Sequence, residues 1–429
     1  MSRLFKILLT IGMMICTFNV SAQSEYIGTY TPYSLFGIGD MSTQGTAITS
    51  GMGGVGIGVR DNRFINVLNP ASITQRDTLS FMMDFGAVQR NIYGNDGSSK
   101  FAYNTAGLHH LALTFPIYKK SALILGVSPY SDVGYRFDRA ETDLDLIDKF
   151  GYITYNKHGK GSVSQAYVGA AMNFFKHFSV GAQFVYYFGS INRYSNVYFN
   201  TDESCRSLIT DRKDRLTGAS GNFGLQYFQD FKNGYNLTLG FTYKIATNLS
   251  VNNTRQAFSN SDIAPTDTLY YETALSHARL PHEFGGGLSF GKVEKWRVAL
   301  DYKRQLWKGN EFQQYQGVDF ATRPAQSVKL GFEITPNKYD LRSYMKRWTY
   351  RVGAYYDQSY MNLNGVGINS SGVTVGFSAP VFKGNNSINF SIDVGRRGTL
   401  KGGMVRENYL IFNLSLSLYD IWFLKKMYD

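Results

Sequence analysis

The 429-residue chain has only two cysteines, Cys16 and Cys205. We predict that the segment holding Cys16 is removed on export, which leaves Cys205 as the sole cysteine of the mature chain. A single cysteine cannot form an intramolecular disulfide bond. The sequence therefore excludes a secreted scaffold that is held together by disulfides.

The N-terminus has the features of a secretory signal peptide. Arg3 and Lys6 precede an apolar run over residues 7–20, and the small residues that end at Ala22 supply a cleavage site. We therefore predict a signal peptide over residues 1–22. A lipoprotein signal that uses Cys16 is the alternative, but the residues in front of Cys16 lack the small side chains that such processing needs.

Long apolar runs are lacking in the rest of the chain. A transmembrane helix needs roughly 18 or more consecutive apolar residues, and no stretch after Val20 approaches that length. Glycine and aromatic residues are abundant, yet the composition is too polar for a helical membrane protein. A transmembrane β-barrel needs no apolar run, because its strands alternate lipid-facing apolar residues with lumen-facing polar ones.

Such alternation is visible along most of the chain. Between residues 235 and 245 every second side chain is apolar, which places Leu239 toward lipid and Thr238 toward the lumen. In the same way Leu414 is predicted to face lipid and Ser415 the lumen. The alternating stretches are near ten residues long, which exceeds the roughly 5–6 residues of ordinary strands. It matches the roughly 9–11 residues that cross a bilayer at a tilt.

These stretches predict an all-β fold, a transmembrane antiparallel β-barrel of about 14 strands. Bacterial barrels of this kind have an even number of strands. The predicted strands lie at residues 78–90, 106–117, 121–136, 163–174, 178–192, 218–229, 235–251, 282–291, 296–308, 325–335, 348–362, 372–382, 387–398 and 404–418.

Long connections alternate with short ones, as extracellular loops alternate with periplasmic turns in bacterial barrels. This predicts a location in the outer membrane of a Gram-negative cell, with both termini in the periplasm. The alternation weakens near the C-terminus, where the turn at 336–348 is longer than the loop at 363–371. The predicted long connections are 91–105, 137–162, 193–217 and 252–281, and the short ones are 118–120, 175–177, 230–234 and 292–295.

The segment between the signal peptide and the first strand does not alternate. It is rich in glycine and too apolar for a free solvated tail, so we predict that it folds into the barrel lumen as a plug. The mature chain then divides into a hatch at 23–77, a barrel at 78–418 and a short periplasmic tail at 419–429. The candidate gating residues are Gly51, Gly53, Gly54, Gly56, Asn69, Pro70 and Ala71.

The glycine-rich stretch 51–56, followed by Asn69-Pro70-Ala71 just before the first strand, resembles the hatch of the FadL/OmpP1/TodX family of outer-membrane transporters. Residues 280–284, 296–307 and 350–357 are also similar to that family. The resemblance implies a 14-stranded barrel with an N-terminal hatch that passes hydrophobic molecules, such as long-chain fatty acids, without energy input.

The C-terminal end departs from the family pattern, because the chain continues through residues 419–429 instead of stopping on a strand-terminal Phe. This ending is similar to barrels from the Bacteroidota lineage, where relatives of the family also serve as subunits of secretion or assembly complexes. Two functions therefore stay open: passive transport of hydrophobic molecules, and a non-transporting subunit of an outer-membrane complex.

The sequence contains no motif that indicates catalysis. Gly51, Gly53 and Gly56 match the spacing of a dinucleotide fingerprint, but no strand precedes them and no βαβ unit encloses them. His109 and His110 are adjacent in a predicted strand, so they should point to opposite faces and should not ligate one metal. We expect no enzymatic activity, no catalytic residue, no cofactor and no metal site.

The formal net charge of +12 becomes +10 in the mature chain, because the signal peptide holds Arg3 and Lys6 and no acid. Acidic and basic residues are interspersed, with no basic helix or arm, so the pattern does not favour nucleic acid. The partners that fit are outer-membrane lipid and lipopolysaccharide. A transporter would add a hydrophobic small molecule, and a complex subunit would add outer-membrane proteins.

Overall fold

The alternation of apolar and polar side chains determines how the strands of this protein are oriented. The structure is a computed structural model that describes residues 28–77, 79–118, 120–199, 205–260, 266–307, 318–381 and 385–421. Thr238 and Ser415 are buried toward the lumen, whereas Leu239 and Leu414 are about half exposed on the outer face. The predicted assignment of lipid and lumen faces is thus confirmed at both strands. The predicted signal peptide and residues 422–429 lie outside the described residues.

The described chain forms 18 strand segments and little helix. The two short α-helices are α1 (Ala47–Ser50) and α2 (Leu144–Phe150), and 3₁₀ turns lie at Pro32–Leu35, Pro70–Thr74, Tyr344–Arg347 and Lys401–Gly403. The strands are β1 (Asp40–Met41), β2 (Ser80–Asn95), β3 (Lys100–Tyr118), β4 (Ser121–Ala140), β5 (Ile153–Phe174), β6 (Phe178–Phe199), β7 (Ser207–Asp230), β8 (Tyr235–Lys244), β9 (Thr247–Asn260), β10 (Asp267–Leu280), β11 (His282–Lys292), β12 (Trp296–Leu306), β13 (Phe320–Thr322), β14 (Ala325–Ile334), β15 (Thr349–Leu363), β16 (Val366–Pro380), β17 (Ser387–Gly398) and β18 (Arg406–Ile421).

These segments make a closed antiparallel barrel of 14 strands, which confirms the predicted fold and count. The pairs β8 with β9, β10 with β11, and β13 with β14 are each one barrel strand interrupted by a short break, and β1 belongs to the N-terminal segment. The ring closes where β18 pairs with β2, from Arg406 opposite Asn95 to Ile421 opposite Ser80. Closure leaves no sheet edge within the bilayer, so every backbone group there has a partner. No helix in the described part of the chain is long and apolar enough to span a membrane.

The prediction of long loops was wrong over most of their length, because the strands continue far past the apolar stretches. β7 is 24 residues long, about twice what a tilted bilayer crossing needs. Thr154 pairs with Tyr198 and Arg212 with Arg255 in regions predicted as loops. The sequence did not show these extensions because the regular alternation of apolar and polar residues is lost there while backbone pairing continues. His158 in β5 and His277 in β10, also predicted in loops, lie on such extensions.

The two ends of the barrel differ. At one, here called the turn end, the described connections are mostly short, as at residues 175–177, 231–234 and 293–295. At the other, here called the extended end, the long strands project outward. The barrel itself runs slightly further than predicted at its C-terminal side, since Tyr419 pairs with Met82 and β18 ends only at Ile421.

Candidate functional site

The N-terminal segment at residues 28–77, here called the hatch segment, lies inside the barrel. Its 3₁₀ turn Pro70–Thr74 packs against β4, β5, β6 and β7, and its helix α1 packs against β16, β17 and β18. Met52, Val55 and Ala71 are almost completely buried. The segment therefore spans the lumen from one side of the wall to the other, and the lumen is the place to look for a functional site.

Glycines let the backbone of the hatch segment rest directly on the backbone of the barrel wall. A Cβ on Gly53 would lie 2.9 Å from the carbonyl oxygens of Ala354 and Leu330, and Gly53 also has a φ of +72° that favours glycine. On the wall side, a Cβ on Gly353 would lie 2.1 Å from the Gly53 nitrogen. Gly58 opposes Gly287 in the same way. Of the sequence-predicted residues, Gly51 and Gly53 lie against wall backbone and Gly54 against the Lys329 side chain, whereas Gly56 packs on Asn66 and Leu68 of the hatch segment itself.

The glycine-rich loop also binds a carboxylate group of the barrel wall. Asp301 on β12 accepts hydrogen bonds from the backbone N–H groups of Gly56 (2.7 Å), Ile57 (2.8 Å) and Gly58 (3.4 Å). Successive backbone amides commonly form such cradles for anions. The spacing that resembled a dinucleotide fingerprint thus serves to dock the loop on a buried carboxylate.

Asn69, Pro70 and Ala71 fix the other side of the hatch segment. The Asn69 side chain accepts a hydrogen bond from the Ala71 nitrogen (3.0 Å), which caps the 3₁₀ turn, and donates one to the Ile57 carbonyl (2.9 Å). A Cβ on Gly224 of β7 would lie 2.1 Å from the Asn69 oxygen. Because Ile57 belongs to the glycine-rich loop, this bond joins the predicted Asn69–Ala71 element to the predicted glycines.

A network of charges that the sequence analysis missed ties the hatch segment to the wall at the turn end. Arg63 contacts Asp61 (2.6 Å) and Glu333 (2.8 Å), and Arg297 contacts Asp61 (2.8 Å) and Glu333 (3.2 Å). Arg351 adds a third cation, 3.2 Å from Glu333. Burial alone would raise the pKa of Asp61, but Arg63 and Arg297 outweigh it and hold that pKa well below its usual value.

A second network holds the hatch segment at the extended end. Arg397 of β17 contacts Asp40 (2.6 Å) and Glu407 (2.7 Å), and Thr31 donates a hydrogen bond to Glu407 (2.5 Å). Apolar packing surrounds this network, since Phe36 packs against Phe320 with ring centroids 5.4 Å apart. Both networks join residues several hundred positions apart, so no local sequence signal could have revealed them.

The space left in the lumen around the glycine-rich loop is lined by both charged and apolar side chains. A cavity of about 170 Å³ is lined by Arg90, His109, Asp357 and Asp393 among other side chains. A second, of about 100 Å³, is lined by Lys244, Glu283, Asp301 and Lys303 among others. Gly54 and Lys329 line both cavities and so separate them.

Comparison with protein families decides where this barrel belongs. The family described as BamG matches residues 4–429, nearly the whole chain. The chain belongs to the BamG family. No curated protein matches it.

Solved structures show the architecture that this BamG-family barrel shares. The Pseudomonas putida toluene transporter TodX is 17% identical with a TM-score of 0.59, over 90% of this chain and 99% of that one. A Pseudomonas aeruginosa FadL homologue is 12% identical with a TM-score of 0.59, over 90% and 100%. The Ralstonia pickettii toluene transporter TbuX is 16% identical with a TM-score of 0.54, over 87% and 98%. The BamG-family chain therefore shares the 14-stranded barrel fold of these solved structures, as predicted.

The histidine pair in the BamG-family barrel corrects another prediction. His109 and His110 do not point to opposite faces, because a β-bulge in β3 leaves His109 without a partner residue on β2. Both side chains are buried, and their Nδ1 atoms lie 2.9 Å apart. His110 also contacts Asp84 at 2.5 Å. In the described residues there is no group of three or more His, Cys, Asp or Glu side chains that could hold a metal ion.

Proposed function

We propose that this protein is a hatch-sealed barrel that serves as a non-transporting subunit of an outer-membrane secretion or assembly complex. The observation that carries the proposal is the filled lumen. The hatch segment is tied to the wall by ion pairs at both ends of the barrel and by backbone contacts in the middle. A subunit whose barrel mainly anchors and presents surfaces to other proteins has no need of a passage.

The energetics of the hatch segment support this proposal. Removing one partner from a buried ion pair costs about 3–5 kcal/mol, because the other charge is left uncompensated. The turn-end network alone contains five charged groups, which are Asp61, Glu333 and three arginines. Withdrawal of the hatch segment would therefore be a rare event unless a partner supplied new contacts.

The lumen cavities beside the glycine-rich loop carry Asp, Glu, Lys or Arg side chains in their linings, next to apolar ones such as Ile92 and Leu68. An apolar solute gains free energy from burial against apolar surface, so the charged part of each lining weakens its binding. The proposal includes outer-membrane proteins as partners, lipid and lipopolysaccharide around the wall, and both termini in the periplasm. It also includes the Bacteroidota lineage that the C-terminal sequence suggested.

Passive transport of hydrophobic molecules is the second candidate function. It is favoured by the 14-stranded architecture that the chain shares with solved toluene transporters. Under this function Gly51, Gly53, Gly54, Gly56, Asn69, Pro70 and Ala71 would form the gate.

A disulfide that locks the hatch segment in place separates the two functions. The Thr74 and Ser179 hydroxyls lie 2.8 Å apart and are buried, one on the hatch segment and one on β6. The double variant Thr74→Cys, Ser179→Cys would be made in a Cys205→Ser background and compared with each single variant.

We expect the oxidised lock to support growth and partner co-purification as well as the single variants do. Loss of uptake of labelled toluene or a labelled fatty acid on oxidation, restored by reduction, would instead establish transport and overturn the proposal.

A further inference from the structure

The connection between β14 and β15, at residues 335–348, is unusual for the turn end because it is long and yet well ordered. Asp340 accepts hydrogen bonds from the backbone nitrogens of Arg342 (2.9 Å) and Ser343 (2.7 Å). The backbone nitrogen of Asn337 donates to the carbonyl of Lys346 (2.8 Å). These bonds fold the connection on itself, so its side chains are presented in fixed directions.

Two further contacts anchor this connection to the barrel. Lys338 forms an ion pair with Glu294 in the neighbouring turn (2.7 Å). Tyr344 donates a hydrogen bond to the carbonyl of Pro380 at the end of β16 (2.5 Å). The connection is thereby fixed on both sides to strands of the wall.

Despite this order, the connection exposes large apolar side chains. Leu341 is 100% exposed, Tyr339 71% and Met345 60%. Single exposed apolar residues are common, whereas large exposed apolar patches mark interaction sites; here three such residues lie within seven positions of one connection. These three residues and the cavity described next are here called the turn-end surface.

The cavity lies between this connection and the hatch segment and has a volume of about 240 Å³. Ile48 and Phe64 of the hatch segment and Pro380 of β16 give it an apolar lining. Every charged side chain in its lining is a cation: Arg63, Lys338, Arg347 and Arg351. Three of these cations have carboxylate partners, whereas no carboxylate lies within ion-pair distance of Arg347 in the described part of the chain.

The charge of the whole connection has the same sign. It carries Lys338, Arg342, Lys346 and Arg347 against the single acid Asp340, a net charge of +3. A ligand for this surface must therefore combine carboxylates with apolar side chains. A free small anion would leave Leu341 and Met345 uncovered, because they lie outside the cavity lining.

We propose that the turn-end surface binds an acidic, apolar-anchored segment of a partner polypeptide. An apolar side chain of the partner occupies the cavity beside Phe64, its neighbours cover Leu341 and Met345, and its carboxylates pair with Arg347. The proposal rests on the proposed function in one respect, because both require a protein partner. A transporter could also carry such a surface.

The test uses the purified full-length barrel in mild detergent and two short fluorescent peptides. One alternates Asp and Glu with Leu and Phe; the other has Lys in place of each acid. We expect the acidic peptide to bind more tightly than the basic one, and to weaken with salt because exposed charges are screened. Arg347→Glu should weaken binding of the acidic peptide at least about tenfold, since close charge pairs across an interface are replaced by repulsion. Leu341→Asp should weaken it as well.

The matched control is Lys232→Glu, which makes the same change of charge at an exposed lysine in another connection of the turn end. It should leave binding unchanged, and anomalous migration on gels before boiling will verify that each variant is folded.

Equal binding of both peptides, equal losses in the Arg347 and Lys232 variants, or binding only to phosphatidylglycerol vesicles would overturn the proposal. The disulfide lock at Thr74 and Ser179 reports on the hatch segment alone, so failure of one proposal leaves the other standing.

Discussion

The carboxylate of Asp301 is the contact whose removal tests most directly how the hatch segment is held. It is buried and receives backbone N–H groups from three consecutive residues of the glycine-rich loop. Asp301→Ala would leave those buried amides without their acceptor. Asp301→Asn is the graded control, because its amide oxygen still accepts but without the charge that strengthens such bonds.

The expected size of the effect follows from the bond lengths. The bonds from Gly56 (2.7 Å) and Ile57 (2.8 Å) are short, whereas the bond from Gly58 (3.4 Å) is long and contributes little. Each buried donor left unsatisfied costs about 1–3 kcal/mol, so Asp301→Ala should destabilise the docked loop by about 2–6 kcal/mol. At 1.4 kcal/mol for each factor of ten, the opening equilibrium should shift by roughly thirty-fold or more.

Hydrogen exchange followed by mass spectrometry measures this shift at the amides themselves, because exchange reports the free energy of local opening. Peptides that cover Gly56 to Gly58 should exchange faster in Asp301→Ala, and less so in Asp301→Asn. Peptides from β11 and β12 should be unchanged, since the barrel ladder does not depend on this side chain. Unchanged protection at Gly56 and Ile57 in the Ala variant would refute the reasoning.

Three further predictions test other contacts. Leu239→Arg places a charge in hydrocarbon and should cost about 2–4 kcal/mol near the midplane. It should lower the yield of barrel that migrates anomalously before boiling, whereas Leu239→Phe should not. Gly287→Ala should destabilise the hatch segment by about 1–3 kcal/mol through overpacking, because its Cβ would lie 2.4 Å from the Gly58 nitrogen. Gly286→Ala is the control, because a Cβ there would meet nothing within 4 Å. Thermal unfolding of the two variants measures the difference. The pKa of Asp61 is lower in the folded protein than in the unfolded chain, where it is about 3.9. The stabilisation that ionised Asp61 gives the folded state is therefore fully present above that pH and is lost as the pH falls toward the folded pKa. Pepsin should therefore cleave the hatch segment of the wild-type protein only at pH values below about 4. At neutral pH, trypsin should cleave the hatch segment of the Asp61→Asn variant; equal cleavage of the variant and the wild-type protein would contradict the role of Asp61.

The barrel could be predicted from the sequence because its physics is local. Within the bilayer each strand must turn apolar side chains outward, so Leu239 and Thr238, or Leu414 and Ser415, reveal the strand and its faces. Beyond the bilayer that demand ends. Arg212 pairs with Arg255 through the strand backbones, and the polar side chains around them carry no periodic apolar signal.

The candidate site could be predicted only in outline. The glycines from Gly51 to Gly56 and the Asn69-Pro70-Ala71 element marked the segment that fills the lumen, but their partners lie on distant strands. Asp301 lies in the predicted strand 296–308, yet nothing near it in sequence shows that it binds three amides of the loop. His109 was misplaced because a β-bulge shifts the alternation by one residue, and a bulge has no dependable sequence signal.

The arrangement of contacts also determines what an opening of this barrel would require. The hatch segment is fixed by Arg397 at the extended end, by glycine-to-glycine contacts in the middle and by Arg63 at the turn end. Complete withdrawal would break all three, but the two cavities in the lumen are separated only where Gly54 meets Lys329. A small displacement of the glycine-rich loop could therefore join them without disturbing either ion-pair network. The path so formed would be lined by charged side chains together with apolar ones such as Ile92 and Leu68, so its charged groups would keep water along it.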